Sequence, residues 1–365
     1  MDNKIKILHI DTGKKWRGGQ QQVAYLFEGL LKQNYQTALV CKPNSLFSEF
    51  CKKKGYPFFT VKMRSEFDIF SAYQIAKICK KNSFNILHLH TAHALSIGLF
   101  TKLFYPKLIL IAVRRVDLHI RKNFLSKFKY SNKLLDKIVT ISDGIKNILL
   151  QNNVEEKRIV TIHSGIDTEK FSNVHLEKSF YQKYNPNNKI VVGTISAFAD
   201  PKDYPNLLNV AKILLQKYKN LLFIALGDGS KKDEIFALHK KLGLKENFIF
   251  AGFQKDVGKF LKLFDIFVLA SKQEGLGTSI LDAQAVGLPI AATNVGGIPE
   301  VVLDNINGFT VEAQNSQVLA DAIIKLAKDR VLRKKLGAKG KKTVQNFSIK
   351  ETIKKNIALY KSLVK

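Results

Sequence analysis

Short apolar runs alternate along this chain with longer stretches whose apolar residues recur at helical spacing. In the first half the runs are KIKILHI (4–10), TALVCK (37–42), PFFTVKM (57–63), ILHLHT (86–91), LILIAV (108–113), KIVTIS (137–142) and IVTIHSG (159–165). Between them lie amphipathic segments such as GQQQVAYLFEGLLKQN and SAYQIAKICKKN. Near-continuous apolar strands separated by helices predict a parallel sheet covered on both faces, because its strands are buried on both sides.

The rhythm breaks between about 166 and 188, a polar stretch ending in the turn-forming Asn-Pro-Asn-Asn. It restarts with KIVVGTIS (189–196), LLFIALG (221–227), NFIFAGF (247–253), DIFVLAS (265–271) and PIAATN (289–294), and the tail from about 316 is helical and lysine-rich. The pattern predicts an α/β protein of two doubly wound, Rossmann-like domains facing across a cleft. The domains are expected over 1–168 and 189–345, with a linker over 169–188 and a last helix over 346–365. Such sheets bind ligands at the carboxyl ends of their strands, so the chemistry is expected there.

The 365 residues suffice for two domains, and 45% hydrophobic with 24% charged residues fits a globular chain. No apolar run approaches the roughly 18 residues of a membrane span. The first ten residues enter a strand-like run without the apolar core of a signal peptide, so cytoplasmic residence is expected. Three cysteines (Cys41, Cys51, Cys79) without a Cys-x-x-Cys pair agree with a reducing compartment.

The charge is less ordinary: 59 basic against 30 acidic residues, net +29. Either the partner is anionic (nucleic acid, a negatively charged membrane surface or a phosphorylated substrate) or the abundance of Lys, Asn and Ile reflects a composition bias. No nucleic-acid-binding motif is present, and the aromatics lie mainly in core-like runs, so no nucleic-acid partner is expected. The segment LHIRKNFLSKFKYSNKLLDK (118–137) interleaves basic with apolar residues. If helical, it either lies on an anionic membrane or presents a solvated face.

Two glycine loops carry candidate chemistry. In DTGKKWRGGQQQ, Gly13 and Gly18 have P-loop spacing, but Gly19-Gln20 replaces the required Lys-Ser/Thr, and no Gly-x-Gly-x-x-Gly is present. The Gly18-Gly19 pair at a helix start then reads either as an anion site or as a tight strand-to-helix turn. In the second loop Glu274 precedes Gly275-Leu276-Gly277-Thr278-Ser279, and Asp282 follows one turn into the expected helix. Glycine lets the backbone approach a ligand, and the helix start offers amides that Thr278 or Ser279 could otherwise cap. A carboxylate repels phosphate but accepts sugar hydroxyls, each charge-assisted bond contributing about 1.5–3 kcal/mol. Two acids flanking phosphate-binding amides therefore predict a nucleotide-sugar ligand.

Residues 265–303 resemble the signature of glycosyltransferase family 4: an acid, seven residues, a second acid, then A-x-A-x-G-x-P and V-G-G-x-x-E. Gly18-Gly19, HLHTAHALSIG (88–98), IVTISDGIKNIL and HSGIDTEKF extend the resemblance over almost the whole chain. It implies the GT-B fold and retaining transfer from a nucleotide-diphosphate sugar, UDP-sugar favoured, to a hydroxyl of a glycan or lipid-linked acceptor. The setting implied is cell-envelope polysaccharide or lipopolysaccharide synthesis, with a peripheral place on the inner face of the cytoplasmic membrane. The N-terminal domain would take the acceptor and the C-terminal domain the donor, with the last helix crossing back to the first domain. The other readings are another GT-B enzyme (a phosphorylase or nucleotide-sugar epimerase), an inactive sugar-binding relative, or a basic nucleic-acid-binding protein.

By similarity, Glu274 would contact donor-sugar hydroxyls, and the amides of Gly275, Leu276, Gly277 and Thr278 the sugar and diphosphate. Asp282, one methylene shorter than the family's glutamate, would hold the ribose. Lys202 matches the family's phosphate-binding lysine, but the arginine position is Ala197. Arg114 or Arg115 would fill that gap, or Lys202 and helix amides suffice. His90 matches the histidine beside the donor sugar, with His93 as the alternative. His88 and His90, on one strand face, are otherwise buried structural histidines or, less in keeping with the absence of a nearby carboxylate or cysteine, metal ligands. Gly227 ends a strand lining the nucleotide pocket or makes a tight turn. Phe253, in the 251–257 stretch, borders the base, and Glu300 fixes a helix start. The family needs no active-site metal and no Asp-x-Asp is present, so no metal or cofactor is expected. The leaving phosphate would take the acceptor's proton.

Overall fold

A computed structural model describes residues 4–116 and 129–364. The chain divides into two units, one of residues 1–165 with 349–365 and one of residues 166–348. The basic stretch over 118–128, half of the segment expected at a membrane, lies outside the described residues.

In the first unit the apolar runs form β1 (Lys6–Ile10), β2 (Gln36–Cys41), β3 (Phe58–Thr60), β4 (Ile86–Leu89), β5 (Ile109–Arg114), β6 (Lys137–Thr140) and β7 (Ile159–Thr161). Among the described residues they make one parallel sheet in the order β3-β2-β1-β4-β5-β6-β7. The register sets Ile7 against Thr37 on one side and His9 against His88 on the other. Ile7, Leu8 and Ile10 are fully buried although they point to alternate faces, which is why the sequence shows no strand-like alternation. The helix Gly18–Lys32 covers one face with Val23, Ala24, Phe27 and Leu30.

The helix Ile349–Leu363 belongs to this unit and packs on Gly18–Lys32. A side chain at Gly29 would put its Cβ 2.1 Å from Ile353 Cδ1, so glycine there admits the isoleucine. Tyr360 is fully buried beneath the sheet's His88.

The second unit repeats the plan with β8 (Ile190–Ile195), β9 (Leu221–Leu226), β10 (Phe248–Gly252), β11 (Ile266–Leu269), β12 (Ile290–Thr293) and β13 (Gly308–Val311), ordered β10-β9-β8-β11-β12-β13. β13 is not anticipated by the sequence pattern: GFTV is four residues long and only half-buried beyond its first position. The polar stretch over 169–188, expected as a linker, is counted in the second unit and carries the helix Lys178–Tyr184. Phe180 and Tyr184 pack on Phe260 at ring distances of 5.0 and 4.9 Å. The chain enters and leaves this unit side by side, the Ile166 amide donating to the Phe347 carbonyl at 2.9 Å.

Each sheet has one point where the strand order reverses, between β1 and β4 in the first and between β8 and β11 in the second. Loops leaving neighbouring strands there part in opposite directions, opening the crevice where doubly wound sheets take ligands. Among the described residues no helix is long and apolar enough to cross a membrane. The three cysteines are free, buried thiols, pushed by burial to about 11 for Cys41 and about 12 for Cys51 and Cys79.

Candidate active site

At the reversal point of the second sheet, β8 leads into a turn ending at Lys202 and β11 into the loop carrying Glu274. The Lys202 ammonium and the Glu274 carboxylate form an ion pair with both side chains mostly buried. The two loops are tied by their backbones: the Lys272 and Gln273 amides donate to the Pro201 carbonyl at 2.9 and 3.2 Å. Ser271 donates to Glu274 at 3.4 Å, and Thr293 donates to the Ser271 carbonyl at 2.5 Å. The Gly297 amide donates to the Glu274 carbonyl at 3.2 Å, so the V-G-G-x-x-E turn holds the backbone of the first acid. Glu300 sits in the first turn of the short helix Ile298–Val301.

The helix Thr278–Ala285 starts where the sequence suggests, but neither Thr278 nor Ser279 caps it. Gly277 occupies the capping position with φ 83° and ψ 55° and makes no side-chain cap. Left-handed backbone at that point costs any residue with a Cβ, and no side chain caps the amides of the first turn. Leu276 is buried. Asp282 lies one turn beyond Thr278 on the same face. Burial pushes its carboxyl up to about 7, with Lys170 pulling the other way.

Gly227 ends β9 at φ 156°, where a Cβ would stand 1.9 Å from the Ser196 carbonyl oxygen. Its lack of a side chain is thus demanded by close packing of two loops. Phe253, just past β10, is exposed, and so is Ala197.

The reversal point of the first sheet gathers a different set. Asp11, buried just past β1, accepts from the Gly13 amide at 2.7 Å and from Gln20 Nε2 at 3.1 Å through both oxygens. Burial pushes its carboxyl up, against the pull of these donors and of Arg115. A Cβ on Gly13 would sit 2.6 Å from Gln20 Nε2 and 2.9 Å from Asp11 Oδ1, and would push apart the side chains that bond here. Gly18 and Gly19, like Gly13, have no positive φ. Among the described residues no atom lies within 4 Å of a Cβ on Gly18, and one on Gly19 meets only Arg115 Cδ at 3.7 Å. The turn itself does not require glycine at either place, which leaves an open approach to the helix start.

Behind this loop three histidines are buried together. His9 Nδ1 and His90 Nε2 are 2.9 Å apart, and His88 Nδ1 lies 2.7 Å from the Tyr360 hydroxyl. Burial holds all three neutral, His9 down to about 3 and the other two well below the usual range. His9 was not flagged by the sequence; its place beside His88 emerges only from strand pairing. Ligand atoms of the trio lie within 4.8 Å of one another. Three neutral imidazoles offer three lone pairs, and the His9–His90 bond occupies one, so a metal ion would have to break that bond. Thr91, next to His90, caps the following helix through the Ala94 amide (3.0 Å) and meets Thr12 at 2.7 Å.

His93 is not part of this group; its Nε2 donates to the Ser65 carbonyl at 2.6 Å. The two arginines also separate. Arg115 donates to Ser164 at 3.2 Å beside Asp11 and Gly19, its pKa lowered by burial to about 10. Arg114, on the other face of the strand end, stands 4.9 Å from the Tyr130 ring.

Comparison with known proteins follows these two halves. The model described as "Glycosyltransferase Family 4" matches residues 16–170, and "Glycosyl transferases group 1" matches residues 177–343. An uncharacterized glycosyltransferase of Methanocaldococcus jannaschii is 30% identical, over 73% of this chain and 71% of the relative. The UDP-Gal:alpha-D-GlcNAc-diphosphoundecaprenol alpha-1,3-galactosyltransferase of Escherichia coli is 23% identical, over 99% of this chain and 98% of that one. Anabaena HepE, crystallised with UDP, shares the fold with TM-score 0.86 at 18% identity, over 98% of this chain and 100% of that one.

Proposed function

From the premise that this chain belongs to glycosyltransferase family 4, we propose that it moves a sugar from a UDP-sugar, with retention of anomeric configuration, to a hydroxyl of a lipid-linked or polysaccharide acceptor. The observation that carries this reading is the Lys202–Glu274 pair at the β8–β11 reversal, beside a helix start opened by Gly277. The paired groups are complementary to two parts of one ligand. The ammonium and the amides of Gly277 and Thr278 take the diphosphate, while the freed carboxylate accepts sugar hydroxyls. As the leaving group departs its charge grows, and donors fixed in advance stabilise it. Asp282 accepts the ribose hydroxyls, and Phe253 offers an exposed ring to the base. In the first unit His90 is buried against His9, and no sugar contact is assigned to it. The departing phosphate takes the acceptor's proton, so the chemistry uses no resident metal.

The E. coli relative is named for an undecaprenol-linked acceptor, and HepE was crystallised with UDP-glucose as well as UDP. Both favour a UDP-sugar, the E. coli relative also favours a lipid-borne acceptor, and neither favours the phosphorylase, epimerase or nucleic-acid readings. Thermal-shift measurement with UDP, GDP and ADP tests the donor: UDP is expected to raise the melting temperature most. NMR of the sugar first released from a UDP-sugar tests retention, the α-anomer being expected from an α-linked donor. Absence of any nucleotide-induced shift would remove the reading.

A further inference from the structure

We propose that the paired helices Ile69–Asn82 and Ala92–Phe104 form a docking face for an anionic lipid bilayer. Eight large apolar side chains are exposed among the described residues of the first unit, and six of them (Phe67, Ile69, Phe70, Tyr73, Leu103, Phe104) lie on these helices or just before them. Phe70 is 85% exposed and Leu103 61%. Two ring pairs tie these elements together: Phe67 meets Phe100 at a ring distance of 6.3 Å, and Tyr73 meets Phe104 at 5.4 Å. An exposed apolar cluster of this kind marks an interaction site.

Charge selects the partner. Along the first helix the exposed stripe runs Phe70, Tyr73, Lys77, Lys80, Lys81, with aromatics at the start and lysines over the following two to three turns. Lys77 stands 4.6 Å over the Tyr73 ring. Arg64 and Lys107 are exposed at the edges. The nearby acids are engaged: Glu66 with Lys129, Asp136 with Lys102 at 2.6 Å, and Asp68 with the amides of Arg64 and Ser71. Aromatics flanked by basic residues suit the boundary between acyl chains and anionic headgroups, where rings enter the apolar layer and ammonium groups stay with phosphate. An apolar protein partner would have no use for the lysine stripe. This face rests on the reading that the acceptor is lipid-borne; of the basic segment over 118–137 that the sequence first suggested, residues 118–128 lie outside the described residues.

Flotation with liposomes tests it, using phosphatidylcholine alone and phosphatidylcholine with phosphatidylglycerol. The chain is expected to float only with the anionic vesicles. The triple variant Phe70→Ser, Leu103→Ser, Phe104→Ser should cut the floated fraction roughly tenfold, because the bound state loses apolar insertion. Lys77→Gln with Lys80→Gln and Lys81→Gln should abolish only the preference for anionic lipid. UDP-induced thermal shift, measured in parallel, should be unchanged in both variants, since none of these residues lies in the nucleotide site. Loss of that shift in the unmodified chain would instead defeat the donor reading and leave the lipid result standing. Three outcomes would overturn the docking face: equal flotation of the triple variant, loss of flotation only on neutralising Arg121, Lys122 and Lys127, or a dimer in solution that the triple variant dissociates.

Discussion

His9 Nδ1 lies 2.9 Å from His90 Nε2, and neither ring reaches solvent. With His88 they form a buried neutral cluster whose folded pKa values lie below the ordinary 6.5. In the unfolded chain these rings bind protons near pH 6.5; in the folded chain they do not until far lower. Folding stability is therefore complete above about 6.5 and falls as pH drops below it, by about 1.4 kcal/mol per pH unit for each such histidine. Urea unfolding at pH 7.5, 6 and 5 should show this slope, and His9→Gln should make it shallower by one histidine's share. Parallel curves for the two proteins would refute the assignment.

Lys202 and Glu274 should respond in opposite senses. Lys202→Ala removes a charged phosphate donor and is expected to weaken UDP binding by about 10- to 100-fold. Glu274→Gln should cut nucleotide release from the UDP-sugar by about 100-fold or more, yet leave UDP binding equal or tighter, because Lys202 is released from its partner. Calorimetric titration with UDP beside a turnover assay reads both. Equal turnover in Glu274→Gln would remove that residue from the site.

Asp282, with its carboxyl pushed up to about 7, ionises across the neutral range. Only the carboxylate accepts two ribose hydroxyls, so UDP affinity should rise from pH 6 to pH 8. Asp282→Asn should bind more weakly at pH 8 and lose most of that rise. The same burial opposes ionisation in the folded chain, so the asparagine variant should be the more stable of the two at pH 8.

The glycines divide by what surrounds them. Gly227→Ala drives a Cβ into the Ser196 carbonyl, a backbone atom that cannot swing aside, and should cost about 3 kcal/mol or more. Gly18→Ala meets open space at a helix start and should leave the melting temperature unchanged or slightly raised, since alanine favours the helix. If both variants melt alike, the close contact at Gly227 is wrong.

Much of this molecule is visible in the chain's pattern of apolar runs. Twelve strands appear at the places where those runs occur, because strands buried on both faces must be apolar throughout. GFTV escaped because a short edge strand with one buried residue carries almost no such signal. The Glu274–Asp282 stretch was readable because close backbone approach and two acids restrict the residue types allowed. His9 was not, since its role depends on β1 lying beside β4, a long-range pairing that no local spacing encodes; Asp11 was passed over although its partners, Gly13 and Gln20, are near in sequence. The arginine pair shows the same limit: consecutive strand-end residues point to opposite faces, and only the structure decides that Arg115 reaches Ser164 while Arg114 turns to Tyr130. Of the two readings of this helix start, capping by Thr278 or Ser279 is not what forms: left-handed Gly277 holds the cap position and no side chain caps the first amides.

Tyr360 closes over His88 from a helix encoded after the whole second unit. On the ribosome, residues 4–165 emerge first, yet their histidine cluster stays uncovered while 183 further residues are made. The early product is thus an unfinished sheet, exposed along the groove that Ile353 and Tyr360 later fill. Nascent chains stalled before residue 349 should be cut by protease in that first portion, and release of the full chain should bring protection to both portions at once.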